Sequence, residues 1–341
     1  MTGGGFRPNR RGVVIGALTL LGGGAKAAPL PVPRVRRIAP ALDRMVAPAA
    51  RVDVIARGIR WAEGPVWVED GGYLLFADPP ANIVRSWQPQ RGVAPFLTPS
   101  GAAGTDPKLV REPGANGLAL DRAGRLLIAN SGGRSIDRLD LKSRRRGVLV
   151  DRFRGKRFNS PNDMHVARDG AIYFTDPPYG LEGGDASSLK EMPVNGVYRR
   201  TPAGEVELLD GSLTRPNGIA LSPDERRLYV SVSDEDAPRI MVYDLDAAGR
   251  PREARVLLDA KPMQAGGAPG LPDGMKVARD GTLVCSVPGG MMFLSPDAEP
   301  LGLVETGAAI ANCAFGEGGR ALFLTASDRV LRLPLRAGWQ G

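Results

Sequence analysis

The chain has 341 residues, of which 43% are hydrophobic and 24% are charged, and its formal net charge is +8. This composition supports a folded core and excludes an intrinsically disordered protein. Two Cys and one His exclude a disulfide scaffold, a cysteine-built zinc site and a metal site made of several histidines.

The first residues have the pattern of an export signal. Basic residues precede the apolar stretch 12–21, and an Ala-Lys-Ala cleavage site follows at 25–27. The pair Arg10-Arg11 before the apolar stretch is typical of the twin-arginine route, although an ordinary Sec signal or a basic tail also fits. We therefore predict a signal peptide at 1–27 and a periplasmic or secreted protein.

The basic excess belongs largely to this signal. Residues 1–27 contain four basic residues and no acidic one, so their removal lowers the formal charge from +8 to +4. The basic run at 144–146 lies between strand-like segments, where a solvated loop is more common than a phosphate-binding patch. No run of 18 apolar residues is free of Gly. We expect no nucleic-acid partner, no stable membrane insertion and no obligate protein partner.

The segment 28–50 is rich in Pro and Ala. Such a composition predicts a linker or a strap over the surface, with a short helix around Ala41–Val46. The expected organisation is thus a signal, this strap or linker, and one folded unit at 51–341.

The folded unit repeats one sequence pattern six times. Each copy opens with a polar residue, usually followed by Gly, and continues as an apolar alternation, a Gly-containing turn and a second apolar run. This pattern predicts a β-hairpin. Consecutive openings are separated by 53, 46, 55, 56 and 39 residues. The openings are Glu63, Asn116, Asn162, Asn217, Asp273 and Asn312.

Further strands are predicted between the hairpins. Four strands per unit and six units predict an all-β fold, a six-bladed β-propeller with four-stranded blades around a central channel. A β-sandwich would not explain so regular a repeat. The segment Val52–Ile59 should complete the last blade and close the ring, which removes exposed sheet edges. The predicted third strands are Ile83–Trp87, Ser135–Leu139, Gly196–Arg200, Arg239–Leu245, Gly290–Leu294 and Val330–Pro334.

The six openings should meet at the mouth of the channel, where they present two carboxylates and four amides. Asn-Gly and Asp-Gly are common turn pairs, but turn formation explains neither Glu63 nor the pair Asn162-Asp163. Two facing carboxylates repel each other unless a cation lies between them. A donor set of oxygens favours Ca²⁺, with Mg²⁺, Mn²⁺ or Zn²⁺ as alternatives. We therefore predict one divalent metal cation in the channel.

Two Asp-Pro-Pro sequences, at Asp78 and Asp176, end the second strands of their hairpins near the same mouth. They predict either a rigid strand-ending turn, or a substrate contact or the support of residues that make one. His165 should point away from Met164 on its strand, so we expect it to pack between blades rather than act in catalysis.

Five sequence blocks resemble a known family, that of senescence marker protein, gluconolactonase and regucalcin. The resemblance covers roughly residues 50–341. It implies a six-bladed propeller with one divalent metal, commonly calcium or zinc, and hydrolysis of sugar lactones. The blocks are WAEGPVW around Glu63, FNSPNDMHVARDGAIYFTDPPYGL around Asn162, RPNGIALSPDERRLYVS around Asn217, LPDGMKVARDGTL around Asp273 and the closing NCAFGEGGRALFLTA.

The resemblance also implies roles for single residues. Glu63, Asn217 and Asp273 match the family's metal ligands, and Asp273 also matches the acid that accepts or donates the proton. Asn162 matches an asparagine that contacts the substrate. From their positions at the mouth, Asn116 and Asp176 are further candidates for substrate contacts.

The sequence departs from the family pattern at two places. Ser160 stands where animal members carry arginine, and Asn130-Ser131-Gly132 stands where many bacterial members carry Glu-His-Gly. Metal-assisted hydrolysis of a small-molecule lactone or related ester is the leading prediction. A non-catalytic binding propeller with a structural ion is the main alternative, and a different reaction on the same scaffold is a third.

Overall fold

The six repeats form six antiparallel sheets, arranged as the blades of a β-propeller, in the computed structural model, which describes residues 31–339. The all-β, six-bladed fold is therefore confirmed, whereas the predicted signal 1–27 lies outside the described residues. Four predicted third strands have the bounds that the sequence predicts: Ser135–Leu139, Gly196–Arg200, Arg239–Leu245 and Gly290–Leu294. Two strands precede the first blade in the chain: β1 (Arg34–Arg37) and β2 (Asp53–Arg57).

Blades 1 to 3 each contain four strands in consecutive order, and a two-stranded hairpin lies between blades 2 and 3. Their strands are β3 (Glu63–Val68), β4 (Tyr73–Asp78), β5 (Ile83–Gln88) and β6 (Gly92–Leu97); β7 (Ala115–Leu120), β8 (Leu126–Asn130), β9 (Ser135–Leu139) and β10 (Arg146–Val150); the hairpin β11 (Arg152–Phe153) and β12 (Lys156–Arg157); and β13 (Met164–Val166), β14 (Ile172–Asp176), β15 (Gly196–Arg200) and β16 (Val206–Asp210).

Blades 4 to 6 follow the same order, except that blade 6 takes its outer strand from the start of the chain. Their strands are β17 (Pro216–Leu221), β18 (Arg227–Val232), β19 (Arg239–Leu245) and β20 (Pro251–Asp259); β21 (Met275–Val277), β22 (Leu283–Val287), β23 (Gly290–Leu294) and β24 (Pro300–Glu305); and β25 (Asn312–Gly316), β26 (Ala321–Ala326) and β27 (Arg329–Pro334).

Helices are short in this fold. One α-helix, Lys261–Ala265, follows β20. No helix within residues 31–339 has the length and apolarity needed to cross a membrane. The 3-10 helices are Pro40–Arg44, Glu69–Gly71, Pro79–Ala81 and Gly184–Ala186.

The ring closes as the sequence predicts. Strand β2 pairs antiparallel with β27, from Asp53 opposite Arg332 to Arg57 opposite Arg329. The sheet of blade 6 therefore joins a strand from the start of the described chain to three strands from its end. Strand β2 thereby covers the edge of β27 that would otherwise be exposed.

The segment before β2 lies against blade 5. Strand β1 pairs with β24 as a fifth strand, and the Nε atoms of Arg34 and Arg36 lie 2.6 and 2.8 Å from the Glu305 carboxylate. Leu42, in the following 3-10 helix, is fully buried. The predicted helix at Ala41–Val46 is instead this shorter 3-10 turn. The sequence analysis did not predict β1, because a proline-rich composition argues against a strand. An edge strand, however, pairs on one side only and therefore tolerates proline nearby.

Apolar side chains pack between neighbouring blades rather than in one central core. Phe323 of blade 6 is fully buried, and its ring stacks on Trp67 of blade 1 with centroids 5.2 Å apart. Trp87 of blade 1 contacts the same ring at 5.8 Å. Burial of a side chain of this size contributes about 1.5–3 kcal/mol, so these contacts hold the closure interface together.

Candidate functional site

The first residues of the inner strands converge because their backbones touch. The N–H of Gly117 donates to the Asn162 carbonyl at 2.7 Å, and the N–H of Gly274 donates to the Ala311 carbonyl at 2.6 Å. A Cβ on Gly117 would lie 2.5 Å from that Asn162 oxygen, too close for any larger residue. Glycine after the opening residue therefore lets adjacent blades meet at the axis.

The sixth opening is Ala311 rather than Asn312. The N–H of Ala311 donates to the Thr325 carbonyl at 2.8 Å, as the N–H of Asn162 donates to the Thr175 carbonyl at 2.9 Å. Asn312 is directly opposite Thr325 in the ladder, one position further along the strand. The sequence prediction was wrong by one residue because this copy lacks the glycine that marks the register in most other copies.

Glu63 and Asp273 are brought together at this end of the channel. Glu63 is buried and Asp273 is half-buried, and removal from water is the main reason that the pKa of each carboxyl group lies well above its usual range. Mutual repulsion raises the pKa of Asp273 further, and the nearby Asp163 adds to both shifts. The N–H of Gly64 donates to Glu63 at 3.0 Å and opposes the shift of that residue.

Asn217 lies beside Asp273 and is held in a fixed orientation. Its Nδ2 donates to the Ser233 hydroxyl at 2.9 Å, and that hydroxyl donates to the Pro272 carbonyl at 2.5 Å. Because the amide nitrogen already donates a hydrogen bond, Oδ1 is the atom that can accept a hydrogen bond or bind a cation.

The donor set fits a hard divalent cation. Glu63 and Asp273 supply two carboxylates, which balance the charge of one such ion, and Asn217 supplies an amide oxygen. No cluster of three or more His, Cys, Asp and Glu side chains within 31–339 is arranged for a metal. A cation here would therefore depend on amide oxygens as well as on the two carboxylates.

Asp176 makes the contacts of a strand-ending turn. Its two carboxylate oxygens accept the N–H groups of Asn159 and Ser160, each at 2.8 Å. Asp78 accepts the N–H groups of Arg60 and Trp61 in the same way, at 3.3 and 3.2 Å. Of the two alternatives for the Asp-Pro-Pro sequences, these contacts favour the structural one.

Below the mouth, the channel is closed by polar side chains from opposite blades. Asn312 Nδ2 of blade 6 donates to Asp163 Oδ2 of blade 3 at 3.3 Å, and Lys276 Nζ of blade 5 donates to Asn312 Oδ1 at 3.4 Å. Burial, reinforced by the Lys276 charge, lowers the pKa of His165 to about 4.

Met164 packs between blades 2 and 3, and the alternation of a strand places His165 on the opposite face. Tyr173, which is opposite His165 in the ladder, packs on that face against blade 4. That His165 packs between blades stays a prediction.

Two side chains near the mouth were missed by the sequence analysis. Glu112 lies beside Asn116, and its charge contributes to the raised pKa values of Glu63 and Asp273. The hydroxyl of Tyr179 lies near Asn217. Both residues are in loops between repeats, where no periodicity marks them, and only the sequence DPPYG next to a repeat pointed to Tyr179.

Residues 61–328 match the protein family described as the SMP-30/Gluconolactonase/LRE-like region. A gluconolactonase from Zymomonas mobilis is 48% identical over 304 residues, which cover 88% of this chain and 85% of that relative. A lactonohydrolase from Aspergillus oryzae is 30% identical over 186 residues, which cover 49% of this chain and 42% of that relative.

Solved structures share the fold. A gluconolactonase from Xanthomonas campestris superposes with a TM-score of 0.78 at 32% identity, covering 91% of this chain and 98% of that one. The calcium-binding protein regucalcin from Agrobacterium tumefaciens superposes with a TM-score of 0.63 at 17% identity, covering 84% and 93%. At that identity the second likeness concerns the fold alone.

Proposed function

The chain belongs to the SMP-30/gluconolactonase/LRE-like family, and on this premise we propose that it is an enzyme that hydrolyses a sugar lactone or a related ester. The observation that carries the proposal is the pair of carboxylates at the mouth of the channel beside Asn217, with Glu63 buried and Asp273 half-buried. The 48% identity to a gluconolactonase over most of both chains supports the reaction class.

Glu63, Asn217 and Asp273 would hold one divalent cation, with Ca²⁺ preferred and Zn²⁺, Mg²⁺ or Mn²⁺ as alternatives. When bound, such an ion supplies a Lewis acid that polarises the lactone carbonyl and stabilises the developing oxyanion. Repulsion between Glu63 and Asp273 supports this assignment, since a cation would relieve it.

The chain's own residues would position the reactants and move the proton. The Asp273 carboxylate would orient the attacking water and accept its proton, and would return a proton to the ring oxygen as the ester bond breaks. The amides of Asn116 and Asn162 would donate hydrogen bonds to the lactone carbonyl and accept them from hydroxyl groups. The side chains of Asp163 and Asn312 would exclude bulk water from below.

We also propose that the mature enzyme acts in the periplasm or outside the cell. The basic and apolar pattern of residues 1–27 supports this location. N-terminal sequencing of the protein from a cell fraction would test it, and a start near residue 28 in the periplasm is the expected result.

The function is tested by Asp273→Ala, with Asp297→Ala as the matched control because Asp297 is an exposed acid on the same blade. The purified proteins are assayed for metal content and for acid release from sugar lactones, with and without a chelator. We expect the site variant to lose bound metal and at least about 10³-fold in kcat/KM, and the control to keep both. Full activity with metal retained in Asp273→Ala would overturn the assignment, and ligand binding without chelator-sensitive turnover would indicate the binding propeller.

A further inference from the structure

Two loops meet above the channel mouth. The N–H groups of Arg111 and Glu112 both donate to the Gly180 carbonyl, at 2.9 and 3.3 Å. The N–H of Glu182 donates to the Leu109 carbonyl at 3.0 Å, so the two segments pair along their length. We refer to residues 109–112 and 177–182 together as the rim loops.

The rim loops are fixed from below by two small side chains. The Ser160 hydroxyl donates to the Pro177 carbonyl at 2.6 Å and accepts the Gly180 N–H at 2.9 Å. A Cβ on Gly180 would lie 2.3 Å from the Ser131 hydroxyl. Ser160 and Ser131 are the positions at which the sequence departs from its family pattern. Small residues at both positions allow Gly180, and with it the backbone of Glu112, to lie close to the mouth.

Each rim loop directs one unpaired polar group into the site. Oε2 of Glu112 is buried and has no hydrogen-bond partner among residues 31–339. The hydroxyl of Tyr179 is also buried; it lies near Ser233, Asn217 and Asp273 but makes no hydrogen bond of ordinary geometry within residues 31–339. Buried polar groups are normally hydrogen-bonded, so two such atoms facing the same space indicate a missing polar ligand.

The chemistry of Glu112 defines that ligand. An ionised carboxylate only accepts hydrogen bonds, so its partner must carry O–H or N–H donors. A second cation is not required, because the charge of one divalent ion is already balanced by Glu63 and Asp273. A lactone ring that carries several hydroxyl groups supplies the donors, whereas an unsubstituted lactone does not.

We propose that Glu112 is a specificity-determining residue that accepts hydrogen bonds from the ring hydroxyls of a polyhydroxylated lactone. Tyr179 lies across the mouth on the other rim loop and binds the same face of the substrate. The inference rests on the proposed lactone hydrolysis and assigns to Glu112 the preference for sugar lactones over lactones of equal ring size without hydroxyls. Discrimination arises because a substrate without hydroxyls leaves the buried carboxylate unpaired.

The test compares D-glucono-1,5-lactone with δ-valerolactone, which has the same six-membered ring and no hydroxyls. Glu112→Ala and Glu112→Gln are assayed beside Glu182→Ala, an exposed acid on the same rim loops. We expect Glu112→Ala to lower kcat/KM for the sugar lactone about 10- to 100-fold, the range for a hydrogen bond to a charged group. Turnover of δ-valerolactone, or its inhibition constant where turnover is slow, should change less than about threefold, and Glu182→Ala should change neither.

Each result decides between roles. Equal losses on both lactones would place Glu112 in the chemistry or in the metal site and overturn the proposal, as would no loss on either. A purely structural role predicts a lower melting temperature for Glu112→Ala, whereas removal of an unpaired buried carboxylate should leave it unchanged or raise it. A wild-type protein that opens neither lactone would instead reject the proposed function itself.

Discussion

The wall between blades 6 and 1 and the mouth of the channel are built from the same repeats but in opposite ways. At the wall, Phe323 stacks on Trp67 with centroids 5.2 Å apart, and comparable apolar clusters recur around the ring. At the mouth, equivalent positions carry different polar groups, among them Glu63 and Asp273. Stability is therefore distributed over similar interfaces, whereas chemistry depends on the few positions where the copies differ.

Phe323→Ala should show the largest difference between the two regions, because it should affect stability and not activity. Truncation of a fully buried aromatic ring leaves a cavity and should lower the free energy of unfolding by about 3–5 kcal/mol. Urea unfolding measures the loss, and the activity per folded molecule should remain close to that of the wild type. Val256→Ala is the control, because Val256 is 50% exposed on an outer strand. A loss below about 1 kcal/mol would contradict the role of this wall in ring closure.

His165 tests the packing of blade 3 below the mouth. Its pKa is lowered from 6.5 to about 4, chiefly by burial, so the unfolded chain binds a proton in this range that the folded chain does not. Stability should therefore fall as the pH decreases from about 6.5 towards 4, by roughly 2–3 kcal/mol from this residue.

The measurement for His165 is urea unfolding of the wild type and His165→Asn at pH 7 and pH 4.5. Because carboxyl groups also titrate, the relevant quantity is the difference between the two proteins. We expect the variant to lose less stability on acidification than the wild type. Equal pH dependence in both proteins would show that burial in the fold does not hold His165 in its neutral form.

Gly117→Ala tests the contact that joins the two regions. A Cβ would lie 2.5 Å from the Asn162 carbonyl and 2.9 Å from the Asp163 Cα, both backbone atoms that cannot move alone. Overpacking of this kind costs about 1–3 kcal/mol, and displacement of the Asn162 strand should also lower kcat/KM. Gly147→Ala is the matched control, since no atom lies within 4 Å of its Cβ position. Equal activities of Gly117→Ala and Gly147→Ala would contradict the requirement for close backbone contact between blades at the mouth.

Much of this architecture could be predicted because each blade repeats the same local rules. Apolar alternation and Gly-containing turns gave the strands, and the extra strand-like segment before the first copy predicted the pairing of β2 with β27. The convergence of Glu63, Asn217 and Asp273 followed from the equivalence of the copies. In a propeller, the approximate rotational symmetry of the repeats places equivalent sequence positions at equivalent places around the channel.

The remainder depends on contacts that no repeat encodes. Glu112 approaches the mouth only because its backbone pairs with Gly180, which is 68 positions away in a different connection. The shift from Asn312 to Ala311 reflects a hydrogen-bond register that becomes visible only beside Thr325. Sequence periodicity predicts neither the position of Glu112 nor this register, because neither residue is placed by the hairpin pattern of its own segment.

The pairing of β2 with β27 also constrains how the molecule is made. The ribosome synthesises Asp53–Arg57 before blades 1 to 5, whereas its partner Arg329–Pro334 follows all five. A nascent chain can therefore form five sheets before β27 is available to pair with β2 and close the ring. Removal of Arg329–Pro334 should leave an open, aggregation-prone propeller rather than a slightly smaller protein.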